Sequence, residues 1–269
     1  MKINHILLLL CLTLPTALFA EQYELKSDEV VKSHGAEAWV EAGVTFEPAK
    51  WLEIGVNESA RFNFSGTIKS HTQAAFDFIT CKYLTLGLDY TLLYTHKENK
   101  DLFKHRIGAS AELIFHPGRW RIALRARPML TMRFDSINTA EKNKYDWHLR
   151  SRLHVQYNIP GKPIKPYLSV EVENTLNAKS ITGYVYNEDA DMTTTYDFKG
   201  NYVSMIRPAI GVKYTPAKNH HLNFFYKFSA DFDRNYNITK KAQKLEVSRE
   251  RDFKHIIGVA YNFTVKPKY

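Results

Sequence analysis

Cysteine is nearly absent from this chain. It holds two, and Cys11 lies in an N-terminal stretch that reads as a cleaved signal, so Cys81 is left with no partner for an internal bridge. A small secreted fold stapled by cystines is thereby excluded. Beyond that N-terminal stretch no apolar run approaches the ~20 residues that a membrane helix needs, which excludes a helical membrane protein. Also missing are a Gly-x-Ser-x-Gly elbow, a supported Asp/Glu dyad and a calcium loop. Acidic residues are in short supply: 28 Asp and Glu stand against 37 Lys and Arg, a formal net charge of +9, of which one unit leaves with Lys2. Such an excess often points to nucleic acid, but an exported chain meets lipopolysaccharide and small anionic solutes instead. No nucleic-acid partner and no cofactor is expected. No linker-like composition interrupts the chain, so it reads as one domain.

The opening residues supply the compartment. Lys2 is a short basic n-region, residues 6–14 form an apolar core, and Leu18-Phe19-Ala20 precedes a cleavage point at Glu21. Leu10 ahead of Cys11 is too large for a lipid-anchor site. Residues 1–20 are thus a signal peptide, 21–35 a polar N-terminal segment or weak first strand, and 36–269 the folded body.

That body is written in period two. In 146–157 one set of alternate residues is Trp147, Leu149, Ser151, Leu153, Val155 and Tyr157; the other is His148, Arg150, Arg152, His154 and Gln156. After the turn Ile159-Pro160-Gly161-Lys162-Pro163, Leu168, Val170 and Val172 alternate with Ser169, Glu171, Glu173 and Thr175. A strand with one apolar and one polar face follows from this spacing. A soluble sandwich would carry mixed Lys, Ser, Thr and Asn on its wet face. Here Arg-x-Arg faces Glu-x-Glu, as in a polar interior surrounded by an apolar, lipid-facing exterior. Comparable runs begin near residues 36, 52, 74, 84, 102, 120, 203, 222 and 253, and the last ends in Tyr261 and Phe263. Such a terminal strand is similar to the signal read by outer-membrane assembly machinery, although residues 264–269 trail behind it.

Short connections near 48, 81, 117, 161 and 217 alternate with longer, charged ones at 65–71, 96–101, 135–144, 178–202 and 233–251. Barrels of outer membranes have short periplasmic turns and long outer loops. The expected fold is therefore all-β: a transmembrane, antiparallel, up-and-down β-barrel in a bacterial outer membrane. Eleven runs conflict with the even strand count of such barrels, so either residues 23–31 add a twelfth strand or 36–46 lies elsewhere and ten remain. About 12 is the expectation.

The strand from Trp147 to Tyr157 and the following Pro166-Tyr-Leu-Ser-Val-Glu171-Val-Glu173 resemble an outer-membrane barrel family known only as a domain of unknown function. Arg106 after His105, and the run from Arg207 to Tyr214, share its style, and the resemblance spans about residues 50–263. It implies fold and compartment, and no activity.

Alternation turns Arg106 and Glu112 inward on one strand, Arg121, Arg125, Arg127 and Arg133 on the next, Arg150 and Arg152 on the third, and Glu171 and Glu173 on the fourth. These form either ion-pair ladders that fill the barrel or the lining of a narrow anion-preferring channel. A lipid-modifying enzyme would need a His-centred site near the rim. His148 and His154 lie ~20 Å apart along one strand and cannot share a reaction centre, while His105 and His255 face outward. A soluble ligand-binding barrel is the remaining alternative. Asn187 and the acidic residues after it, through 191, form a candidate divalent-cation loop, though such runs are more often plainly solvated.

Overall fold

A computed structural model describes residues 21–63, 66–97, 100–133, 144–178, 180–187, 192–239 and 242–267. The signal segment 1–20, the acidic run at 188–191 and Tyr269 lie outside the described residues. Thirteen strands are formed: β1 (Glu21–Ala49), β2 (Leu52–Asn63), β3 (Ile68–Cys81), β4 (Leu84–Lys97), β5 (Lys100–Phe115), β6 (Trp120–Arg133), β7 (Tyr145–Tyr157), β8 (Ile164–Thr175), β9 (Ile181–Asn187), β10 (Met192–Phe198), β11 (Tyr202–Ala217), β12 (His220–Thr239) and β13 (Lys244–Val265). Eleven of them close a barrel, β1 to β8 followed by β11 to β13, and β9 and β10 lie outside it. The expectation of about twelve strands fits a barrel of eleven with two outer strands beside it.

Each alternating run becomes one barrel strand, and residues 36–46 lie within β1, which removes the ten-strand alternative. Residues 23–31 are not a separate strand; they continue β1 upward. Neighbours joined by hairpins alternate in direction, so the first and last of an odd set run the same way. The barrel accordingly closes through a parallel seam, β1 on β13, from Glu24 opposite Lys244 to Phe46 opposite Val265. All other neighbouring barrel strands are antiparallel.

The wall is inside-out. On β13, Ile257 is 69 % exposed on the outer face, whereas Ile256 beside it is 1 % exposed within. Leu88, Ile107, Leu124, Leu168, Ile210 and Phe224 are likewise exposed, so the apolar band runs around the circumference. Aromatic pairs edge this band at both ends. Trp51–Phe78, Tyr83–Phe115 and Trp120–Tyr157 lie beside the short turns. Tyr94–Phe103 lies beside the long connection between β4 and β5, and Phe228–Phe253 lies within β12 and β13. From Phe115 to Phe103 along a tilted strand the axial rise is roughly 30 Å, the thickness of a bilayer core.

The stretches 178–202 and 233–251, expected as loops, are largely strand. β12 and β13 run far past their neighbours, and β9 pairs in parallel with the start of β1, Glu21 opposite Ile181. Leu245 and Val247 keep the outward phase of Ile257 and so present apolar side chains beyond the band. The β9–β10 hairpin covers them: Tyr23, Ile181, Phe198, Tyr236, Leu245 and Val247 form a separate buried cluster. A register shift between Leu25 and Ser27 turns Tyr23 to the covered face. The sequence concealed this layer because its strands are short, threonine-rich or highly charged, with no long apolar alternation.

Leu245 is fully buried there. Leu245→Ala is expected to cost about 2–5 kcal/mol of local stability, read as faster proteolysis at the β12–β13 hairpin with the barrel itself left resistant. Equal proteolysis of both proteins would show that the hairpin does not pack on this wall.

Candidate functional site

The inner wall collects the charges. Arg106 and Glu112 on β5, Arg121, Arg125, Arg127 and Arg133 on β6, Arg150 and Arg152 on β7, and Glu171 and Glu173 on β8 all stand on the inward phase. Register sets Arg150 opposite Glu173 and Arg152 opposite Glu171. It also sets Arg125 against Arg152 and Arg127 against Arg150. Like charges directly opposite are destabilising, and long side chains resolve the conflict by reaching past a neighbour.

Arg152 donates through Nη2 to Glu112 Oε2, two strands away, at 3.0 Å, and Arg121 donates to the other oxygen of the same carboxylate at 2.8 Å. Arg127 crosses from β6 to Asp89 on β4 with two hydrogen bonds, one from Nε at 2.9 Å and a second from Nη2. Arg150 places Nε at 2.8 Å and Nη2 at 2.5 Å from Glu173 Oε2. Arg133 does the same to buried Asp146, at 2.8 and 2.5 Å. Arg125 lies 3.9 Å from Glu171, and Arg207 lies 3.8 Å from its other oxygen. Arg106 donates to Thr131 Oγ1 at 3.0 Å. Gly108 makes room for the Arg127–Asp89 pair: a Cβ there would sit 2.8 Å from Asp89 Oδ1 and 2.9 Å from Arg127 Nε.

Carboxylates do not match the cations. Among the described residues, Arg61, Lys104, Arg106, Lys213 and Lys227 have no carboxylate oxygen within 4.0 Å. Several lean on aromatic faces instead. Trp39 is buried at the waist of the barrel, its Nε1 donating to Glu37 at 2.8 Å. Arg61 stands 3.8 Å, Lys227 4.5 Å and Arg207 5.4 Å from its ring centroid. Such contacts gain strength where cations lose water. Phe225 meets Trp39 edge-on at 6.3 Å, and Tyr167 and Ile256 complete the cluster. The glycine at 258 leaves the space that the Phe225 ring occupies.

This waist separates two basic chambers. Toward the long connections lies a cavity of about 440 Å³ with Arg61, Arg106, Arg133 and Arg150 in its wall. Toward the short turns lies one of about 330 Å³ with Arg121, Arg152, His154, Lys213 and Lys227. Arg207 borders both. Comparison with protein families, with curated proteins and with solved structures finds no match.

His148 and His154 fall in different chambers. His148 Nδ1 lies 3.4 Å from Thr175 Oγ1 and 3.6 Å from Glu173, while His154 packs on Tyr167 at 4.7 Å between ring centroids. Among the described residues no group of three or more His, Cys, Asp or Glu side chains is placed to hold a metal ion; the acidic run at 188–191 lies outside them.

Asp89, Asp146, Trp39, Lys213 and Lys227 were not in the sequence-derived cluster. Each sits on the polar phase of its strand, so alternation could have found them. What it could not supply was their partners, such as Arg127 for Asp89 across a skipped strand. Asp89 and Arg127 are nearly buried. Asp89→Ala is expected to destabilise the barrel by ~3–5 kcal/mol, leaving a buried guanidinium unpaired. Asp89→Leu with Arg127→Met should recover most of that loss. Urea unfolding in lipid vesicles checks it, and a neutral single variant would show that the pair is solvated.

Proposed function

We propose that this chain is a bacterial outer-membrane β-barrel whose lumen is a narrow, anion-preferring passage. The observation that supports it best is the apolar band around the barrel, edged by aromatic residues at both ends and enclosing an interior of ionised side chains. In water such a molecule would expose its apolar band and hide its charges. In lipid each face meets its own solvent. Residues 1–20 act as the export signal, Tyr261 and Phe263 serve the assembly machinery, and lipopolysaccharide surrounds the outer rim. The kinship with an outer-membrane family of unknown function belongs to the same proposal.

Sidedness follows from the connections. The short turns face the periplasm, and the β9–β10 layer stands outside the cell. Cys81 is exposed beside a short turn. In intact cells a membrane-impermeant maleimide is expected to leave native Cys81 unlabelled and to label Glu246→Cys made on a Cys81→Ser background. Labelling in the opposite sense would invert the orientation, and recovery of the protein from the soluble periplasm without detergent would end the membrane reading.

Unpaired lumen cations raise local anion concentration, an effect screened over ~8 Å at physiological salt. In planar bilayers the expected conductance is small, anion-selective at low salt and less selective at high salt. Trp39→Ala, which opens the waist, should increase it, and Arg61→Glu should reduce or reverse the preference. Insertion with no ion flow in either protein would leave a purely structural barrel, plugged by its ion pairs. Cation selectivity would contradict the proposal.

A further inference from the structure

The outer face holds a like-charged pair that no carboxylate of the chain relieves. Lys32 on β1 and Arg251 on β13 stand directly opposite each other across the parallel seam, and both are exposed. Counting in twos from outward-facing Ile257 and its partner Ala38 puts them on the outer face, with no register shift between. Like charges so placed are destabilising. In the lumen, the apposed arginines Arg125 and Arg152, and Arg127 and Arg150, each come within 4.0 Å of a carboxylate. Among the described residues Lys32 and Arg251 have no carboxylate within that distance. The acids nearest in sequence are engaged elsewhere. Asp28 pairs with Arg249, while Glu250 and Asp252 line the chamber on the long-connection side. Register sets Arg234 opposite Arg249. The outward phase at this level therefore carries Lys32, Arg234, Arg249 and Arg251 against Asp28 alone.

Height on the wall identifies the anion. Toward the short turns the outward phase of β13 reads Phe253, His255, Ile257, Val259, Tyr261 and Phe263. That of β1 reads His34, Ala36, Ala38, Val40, Ala42, Val44 and Phe46. Neither stretch holds a Lys, Arg, Asp or Glu. From Phe263 to Phe253 a tilted strand rises roughly 25 Å, the height of the apolar band of an outer-membrane barrel. Arg251 and Lys32 are the next outward residues, at the depth where lipid headgroups begin. His34 stacks on Phe253 at 5.3 Å between ring centroids and marks that boundary. Below the pair, Ala38 lies between Ile257 on β13, 69 % exposed, and Phe62 on β2, 42 % exposed. Small side chains between bulky ones leave a shallow furrow that leads from the two cations into the band. A free anion makes no use of that furrow, whereas a lipid lays a chain in it. A guanidinium fork beside an ammonium suits phosphate, whose separate oxygens take both.

We propose that Lys32 and Arg251 bind the phosphate of an anionic membrane lipid, with an acyl chain in the furrow over Ala36 and Ala38. The site deepens the outer-membrane reading and rests on it. The two fail separately: insertion into phosphatidylcholine vesicles tests the membrane reading, and lipid retention in micelles tests the site.

The test is native mass spectrometry of the folded protein in maltoside micelles, which carry no phosphate, with bisphosphorylated lipid A as the probe. Lipid A is expected to stay bound, and lipid A stripped of its phosphates to be held about tenfold or more weaker. Lys32→Gln and Arg251→Gln should each weaken retention by about tenfold to a hundredfold, the loss of one charge-assisted hydrogen bond. Lys32→Arg, which keeps the charge, should retain the lipid. Lys162→Gln, exposed at the opposite rim, is the control for net charge and should change nothing. Heat-modifiable migration confirms that each variant folds; a glutamine variant that does not is replaced by methionine at the same position. No retention of lipid A, or equal retention of the stripped lipid, would overturn the proposal. So would retention indifferent to both glutamine variants, an equal loss in Lys162→Gln, or displacement of the lipid by an equal concentration of inorganic phosphate, which would mark a site for the free ion.

Discussion

Every feature of this barrel depends on closing its ring of backbone hydrogen bonds with an odd number of strands. A free sheet edge leaves a row of backbone N–H and C=O groups unpaired, and a closed barrel abolishes it. Eleven strands meet that demand only if first and last run parallel, and the β1–β13 seam does so over the full depth of the barrel. Parallel partners cannot be joined by a hairpin. The two ends of the barrel domain therefore lie at opposite rims, residue 21 above and Val265 below. The same seam continues past the apolar band as the extended β1, β12 and β13, whose outward apolar phase is there covered by β9 and β10.

Inside, the governing problem is that arginine rows on neighbouring strands face each other. Register puts Arg125 beside Arg152 and Arg127 beside Arg150, an arrangement that only the length of the guanidinium arm makes tolerable. Each arginine finds its carboxylate elsewhere: Asp89, Glu112 and Glu171 lie across an intervening strand, Glu173 on the adjacent one. The result is a web that ties β4 to β8 through their side chains as well as their ladders. Among the cations outside the web, Arg61, Lys213 and Lys227 stand on the rings of Trp39, Tyr167 and Phe225. An aromatic face attracts a cation without neutralising it, so the positive surplus survives around Trp39, Phe225 and Tyr167.

Much of this was legible in the residues. Period-two alternation identified every barrel strand, assigned inner and outer faces, and placed the charged residues from Arg106 to Glu173 that it singled out on the inner one. It could do so because a strand's side chains have only two directions, and the outer and inner faces of this barrel carry opposite chemistries. The outer layer escaped notice because both of its faces meet water or a small local core, and that contrast vanishes.

What the chain determined by itself is the set of strands, their faces and the excess of positive charge within. Only the tertiary structure decided how the odd set closes, which carboxylate each arginine reaches, and that Trp39, Arg152, His154 and Asn223, distant along the chain, border one waist and one chamber. Those outcomes depend on which strands become neighbours and at what stagger, and a period of two carries no information about either.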